Sequence, residues 1–276
     1  MNGVGIALGM RNTHGYKRNL LYFLYARYCR FKSGVACSAQ DKSVARELHR
    51  TGIAKIGVSD VGELARIAEE KLAAVPLVNG YAQFPRQYNP LIVPHLFRVL
   101  QANAGAIEAC FRSHFRVNWF EVQMIAPGQQ PSGSSFGYHT DDTPLPLIKL
   151  FIYLTDTGEA NGAFRALDYR DTDELLRRGM LDSVPPGEKR AQAQRLVTPD
   201  HEKRLRVVEG PIGTVFVFDN NLVHKGTLPR QGRRIHVSME IMPSPVRQTL
   251  DALARDCEKE VQEYFPINPF RRTAAH

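Results

Sequence analysis

Phe136-Gly137-Tyr138-His139-Thr140-Asp141-Asp142 leads into Leu147-Ile148-Lys149-Leu150-Phe151-Ile152-Tyr153-Leu154-Thr155-Asp156, and this pair of segments decides the fold class. The first segment is polar and carries candidate ligands. The second is a run of aromatic and branched residues that reads as a buried β-strand. Asn161-Gly162 follows as a turn signal. The pattern then returns. Gly210-Pro211-Ile212-Gly213 turns into Thr214-Val215-Phe216-Val217-Phe218, a second apolar strand that runs through Asp219-Asn220-Asn221-Leu222-Val223 to His224. Arg234-Ile235-His236-Val237-Ser238-Met239-Glu240-Ile241 alternates polar with apolar residues, the period of a strand with two unlike faces. Residues 117–125 read as one more strand, so the core is expected to be mainly β.

His139, Asp141 and His224 stand out within these strands. Two imidazoles and one carboxylate are the ligand set that leaves open positions on a non-haem ferrous ion. Such a site is assembled from two strands distant in sequence, one carrying His-x-Asp and a later one the second His. Arg233 and Arg234 follow about one strand later, where a guanidinium can hold a carboxylate through paired, charge-assisted hydrogen bonds. Strand alternation favours Arg234: Ile235, Val237, Met239 and Ile241 share the face of Arg233, whereas a catalytic pocket is lined by the polar set. Arg233 remains the alternative. Lys149 shares a face with Phe151 and Tyr153 and is a candidate to meet an anionic group. His236 shares the Arg234 face and either points into the pocket or is a hydrogen-bonded structural residue. His49, His95, His114 and His201 lack a comparable context and read as ordinary residues.

With those motifs in place, the segment from Trp119 to Pro245 resembles an iron(II)- and 2-oxoglutarate-dependent dioxygenase, nearest the phytanoyl-CoA hydroxylase-like branch. The resemblance rests on His139-x-Asp141, the strand before Asn161-Gly162, Gly210-x-x-Gly213 leading to Asp219 and His224, and the arginine strand. It implies a double-stranded β-helix, the cupin-like jelly roll, with an α-helical N-terminal layer. It implies iron(II), 2-oxoglutarate and dioxygen as reactants, and hydroxylation of an unactivated C–H bond coupled to decarboxylation of 2-oxoglutarate to succinate. It also implies His139, Asp141 and His224 as metal ligands, with Arg234, Arg233, Lys149 and His236 as candidates around the cosubstrate. One departure concerns the loop after Asn161-Gly162: Ala166-Leu167-Asp168-Tyr169-Arg170 replaces the Pro-Gly-Ser-His turn common in the family. Asp141 stands where related halogenases have Ala or Gly. The second arginine of nucleic-acid demethylases, six residues after the first, is replaced by Glu240 or Met239. A metal-dependent cupin-type hydrolase or isomerase could use the same ligands without the arginine, and a non-catalytic binding barrel would need neither.

The chain has 276 residues, 43% of them hydrophobic, enough for one substantial core. A single domain over 1–276 is expected, with a mainly helical region to 115, a catalytic barrel over 116–245 and a helix or tail over 246–276. Residues 43–75 read as helical around a short extended piece, 61–74 as an amphipathic helix ended by Pro76, and 91–111 as one or two helices. Residues 169–203 are charged and proline-bearing, with a short helix over 171–180, and form the expected mobile lid. Cys29, Cys37, Cys110 and Cys257 are scattered, which argues against a disulfide framework and for a reducing, cytoplasmic setting. The formal charge of +8 implies attraction to an anionic partner without identifying it, and the expected substrate is small or anionic. Nucleic acid is disfavoured because the basic residues are spread along the chain.

No run is long enough for a membrane span, and the first residues do not form a secretion signal. Lys17, Arg18, Arg27, Arg30 and Lys32 nevertheless surround Leu20, Leu21, Tyr22, Phe23, Leu24, Tyr25 and Tyr28. That composition suits a basic amphipathic helix lying on an anionic membrane. Packing of its aromatic face, through Leu21, Tyr25 and Tyr28, on the barrel or on a second subunit is the preferred expectation. Oligomeric state is not set by the sequence.

Overall fold

A six-stranded antiparallel sheet turns two chemically unlike faces to its surroundings. In a computed structural model describing residues 16–128, 136–141, 143, 146–180 and 194–258, its strands lie in the order β1 (Ile53–Val58), β7 (Thr214–Asp219), β4 (Ile148–Tyr153), β9 (Arg234–Ser244), β3 (His114–Ile125) and β2 (Tyr81–Gln83). Leu150, Ile152, Val215, Val217, Ile235, Val237, Met239 and Ile241 point to one side. They pack with α2 (Ala39–Thr51), α3 (Gly62–Ala73), α4 (Asn89–Ala102) and α5 (Ala104–Phe111) in the main hydrophobic core.

The alternate residues face a smaller antiparallel sheet, ordered β6 (Arg206–Val208), β5 (Phe164–Ala166) and β8 (His224–Lys225). Phe151, Tyr153, Phe216 and Phe218 meet Phe164 and Val208 there. Ring centroids of Phe164 and Phe218 are 4.3 Å apart, and those of Phe151 and Phe164 5.5 Å in an edge-on arrangement. The Tyr153 hydroxyl ties the sheets, donating to the Val208 carbonyl at 2.7 Å and accepting from the Phe164 amide at 3.1 Å. Two antiparallel sheets with helices on the outer face of the larger one are therefore the architecture. β5, β6 and β8, of three residues or fewer, are too short for a period-2 signal and were not expected from the sequence.

Local chemistry sets the helix ends. Ser38 and Asp41 form a capping box at the start of α2. Gly52 ends that helix in the left-handed region (φ 83°), where a Cβ would collide with the Leu222 side chain. The turn admits the chain to β1 only because the residue is glycine. Cys29, Cys37 and Cys110 are free.

Two expectations need revision. In α1 (Tyr16–Ser33) the packed face is Tyr22, Tyr25, Ala26 and Cys29, set against Leu147 and Met242. Tyr28, expected on that face, is 43% exposed, and the Leu21 side chain lies outside the described residues. The 169–203 segment is also different from a free lid where it is described. α6 (Tyr169–Arg177) buries Leu175 with Met180 against Tyr138, Leu167 and Val223, and the Thr172 hydroxyl accepts from the Val223 amide. Over 169–180 it is a packed layer against the residues that lead into His224; residues 181–193 lie outside the described residues.

Candidate metal centre

The two histidines of the triad are neighbours because their backbones are paired. His139 and His224 each donate an amide hydrogen to the other's carbonyl at 2.9 Å, an antiparallel bridge that continues the small sheet beyond β8. The amide of Asp141 then donates to the Asn220 carbonyl. The imidazole centroids are consequently 4.3 Å apart, and one ligating atom from each of His139, Asp141 and His224 lies within 4.8 Å of the others.

The tautomers follow from the partners. His139 Nδ1 lies 2.9 Å from the Gly137 carbonyl, and His224 Nδ1 lies 2.9 Å from the Leu222 carbonyl. A carbonyl can only accept, so both Nδ1 atoms carry the hydrogen and both Nε2 atoms present a lone pair. Those Nε2 atoms stand 3.5 and 3.7 Å from the Asp141 carboxylate oxygens. Burial, reinforced by His139, pushes the His224 pKa down to about 3 despite Asp141, keeping that ring neutral and able to ligate. For Asp141, burial alone would raise the pKa. The Lys149 ammonium outweighs it and holds the carboxyl well below the usual range.

Lys149 Nζ sits 2.6 Å from Asp141 Oδ2, although that oxygen has no hydrogen bond of good angle, so charge rather than direction holds the pair. Lys149 faces Glu240 across the strands, and Glu240 faces Trp119. The Lys149 ammonium lies 5.6 Å from the Trp119 ring centroid. Asn118 Nδ2 donates to Glu240 at 2.8 Å. Burial raises the Glu240 carboxyl to about 7 and also raises Glu121. Sequence reading did not single out this wall of Asn118, Trp119, Glu121 and Glu240. The alternation that placed Lys149 could have found Glu240, which shares the polar face of β9.

Farther along that face lies Arg234, 2% exposed, whose Nε and Nη1 have no hydrogen-bond partner among the described residues. Burial lowers its pKa, partly offset by Tyr153. An isolated buried guanidinium is costly by several kcal/mol, and what it lacks is an anion. His236, also 2% exposed, stacks on Phe151 at 4.9 Å and leaves Nδ1 without a partner. Burial, Arg234 and Lys149 keep it neutral. Arg233 instead points to the surface and pairs with Glu69. His49 contacts the Cys110 carbonyl and His114 pairs with Glu108. A cavity of about 660 Å³ between α2, α5 and α6 is lined by none of the triad.

A second group with ligand-like spacing is Asp171, Glu174 and His201. Its Asp171 is already engaged by Arg204 at 2.9 Å.

No protein-family model and no curated protein sequence matches the chain. Solved structures do share its fold. The non-haem α-ketoglutarate-dependent epimerase SnoN, from nogalamycin biosynthesis, superposes with a TM-score of 0.51 at 16% identity, over 74% of this chain and 81% of that one. The carbocyclase SnoK of the same biosynthesis gives 0.51 at 17%, over 75% and 87%. HygX from Streptomyces hygroscopicus, solved with nickel and 2-oxoglutarate, gives 0.50 at 16%, over 79% and 94%. At these identities the likeness speaks for the fold.

Proposed function

We propose that the protein is an iron(II)- and 2-oxoglutarate-dependent oxygenase that hydroxylates an unactivated C–H bond of a small or anionic substrate, its two sheets forming a double-stranded β-helix within one domain. The observation that carries this reading is Arg234, a buried guanidinium with two unpartnered nitrogens on β9 of the larger sheet, whose polar face looks toward the small sheet that carries His224. A metal-dependent hydrolase or cupin-type isomerase that uses the three ligands without 2-oxoglutarate would have no use for it. SnoN is described in complex with Fe3+ and α-ketoglutarate, and HygX with 2-oxoglutarate, which supports the same pair of reactants here.

In this reading His139 and His224 supply neutral Nε2 donors and Asp141 the anionic one. When bound, iron with 2-oxoglutarate would let dioxygen act as the oxidant, one oxygen atom ending in succinate, released with carbon dioxide, and the other in the hydroxylated product. The chain's part is placement and exclusion of water. Arg234 holds the distal carboxylate of the cosubstrate through paired hydrogen bonds, with Tyr153, Phe151 and His236 as the surrounding walls. The charges of a ferrous ion, Asp141, a dicarboxylate and Arg234 cancel, so the filled pocket is less costly than the empty one. Lys149 steadies the Asp141 carboxylate and presents a cation at the substrate side. No acid–base dyad is needed to break an unactivated C–H bond.

Anaerobic addition of iron(II) and 2-oxoglutarate tests the reading. A weak visible charge-transfer band is expected in the wild type, followed on exposure to labelled dioxygen by succinate release and label in the hydroxylated product. Folded protein that takes up iron without the band would instead support the hydrolase or isomerase.

A further inference from the structure

α1 is apolar on two opposite faces, and among the described residues one of them is packed and the other exposed. Tyr22, Tyr25, Ala26 and Cys29 are packed, whereas Leu20, Leu24, Tyr28 and Phe31 are 42%, 47%, 43% and 83% exposed. The spacing of these four, at i, i+4, i+8 and i+11, makes one continuous outer stripe. The helix contains Lys17, Arg18, Arg27, Arg30 and Lys32 and no acidic residue. Arg27 extends over the Phe23 ring at 5.9 Å. Arg30 donates to the Phe111 carbonyl, and its neighbours Arg27 and Arg112 add like charge beside it. None of these three arginines has an ion pair among the described residues. Arg30 also lines the neighbouring cavity, where Arg50, Arg170, Arg177 and Arg178 outnumber Asp173, Glu174 and Asp219.

We propose that this outer face of α1 docks the protein on an anionic lipid surface, with Leu24 and Phe31 entering the headgroup boundary and the flanking cations meeting lipid phosphates. Charge decides between occupants. A second copy of the chain would bring two such helices together with no acidic side chain on either. The terminal segments outside the described residues are no better matched: 1–15 has Arg11 and no acid, and 259–276 has Lys259, Arg271 and Arg272 against Glu260 and Glu263. An anionic bilayer offers both an apolar layer and fixed negative charge. The helix would lie on the surface, since among the described residues no helix is long and apolar enough to cross a membrane. This inference is independent of the metal centre.

The test uses the full chain and vesicles of phosphatidylcholine with or without phosphatidylglycerol. Co-sedimentation with the anionic vesicles is expected, declining as salt screens the cations, with little binding to pure phosphatidylcholine. The double variant Leu24→Ser/Phe31→Ser lowers partitioning by at least about tenfold. Arg27→Gln/Lys32→Gln lowers it roughly 20-fold. Both retain the wild-type melting temperature because these side chains are exposed. Absence of binding to anionic vesicles overturns the proposal, as does binding unaffected by the apolar double variant. A concentration-dependent dimer that the apolar variant dissolves in sedimentation velocity would also overturn it and assign the stripe to a second copy.

Discussion

His139, Asp141 and His224 form one cluster of potential ligands, and Asp171, Glu174 and His201 form another whose ligand atoms also lie within 4.8 Å of one another. The hydrogen bond at the far side of the imidazole separates them. In the first, both Nδ1 atoms face carbonyls, which forces the hydrogen onto Nδ1 and frees Nε2. In the second, the Thr198 amide donates to His201 Nδ1 as part of a capping box for α7 (Pro199–Lys203). Nδ1 must then accept, the hydrogen sits on Nε2, and that atom points 3.5 Å from Glu174 as a donor without lone pair. The lesson concerns metal sites generally: spacing nominates ligands, and the second nitrogen's partner decides whether they can act.

The sharpest way to break this contrast is metal binding. Asp141→Ala removes the anionic donor and should lower iron(II) or cobalt(II) affinity by more than about 100-fold, with loss of turnover. His201→Ala should leave metal stoichiometry and affinity unchanged. Calorimetric titration of the two variants measures both, and a lost binding event in His201→Ala would make the second cluster a metal site after all.

Much of the first cluster was legible because ligand chemistry and strand period are both written locally. His-x-Asp puts two donors on one side of an extended chain, and alternation separated Arg234 from Arg233, which the structure places buried and surface-paired respectively. The tautomers were not legible, since they depend on the carbonyls of Gly137 and Leu222, and any residue supplies a carbonyl. Nor was the Glu240 wall, because a carboxyl in an alternating strand looks like an ordinary solvated position. α1 was read as an either/or between packing and a membrane. A helix apolar on both sides gives no single amphipathic direction, and the structure shows one face packed and one bare.

The next effect in size concerns the anion site. Charge-assisted hydrogen bonds contribute about 1.5–3 kcal/mol, so Arg234→Ala should raise the KM for 2-oxoglutarate roughly 10- to 100-fold while iron content stays near wild type. Arg233→Ala removes only an exposed pair with Glu69 and should change KM less than about twofold. The reverse pattern in steady-state kinetics would move the cosubstrate to the other face of β9. For the second cluster the expected loss is stability. His201 is 2% exposed, and His201→Ala removes a buried ring together with its cap contacts, a cost of about 2–3 kcal/mol measurable in denaturant unfolding.

An effect confined to a narrow pH window distinguishes the clusters by how their carboxylates are neutralised. Asp171 is met by Arg204, whose side chain is 48% exposed, whereas Asp141 is met by Lys149, which is 16% exposed and shares its surroundings with Glu240. Burial raises Glu240 from an ordinary 4.5 to about 7. Between those values the unfolded chain has released the proton and the folded chain still holds it, so this group makes stability fall as pH rises through that window. Above about 7 its contribution levels off. Glu240→Gln keeps the bond from Asn118 and removes the titration, so the metal-free variant should gain on wild type by up to roughly 3 kcal/mol as pH climbs from 4.5 to 7. Asp171→Asn serves as the control, since it removes only the contact with Arg204 and leaves Glu240 in place. Denaturant midpoints for wild type and Glu240→Gln measured across that range give the answer. Curves that run parallel would mean that Lys149 keeps Glu240 ionised throughout, and that the wall around the metal carboxylate is a fixed ion cluster.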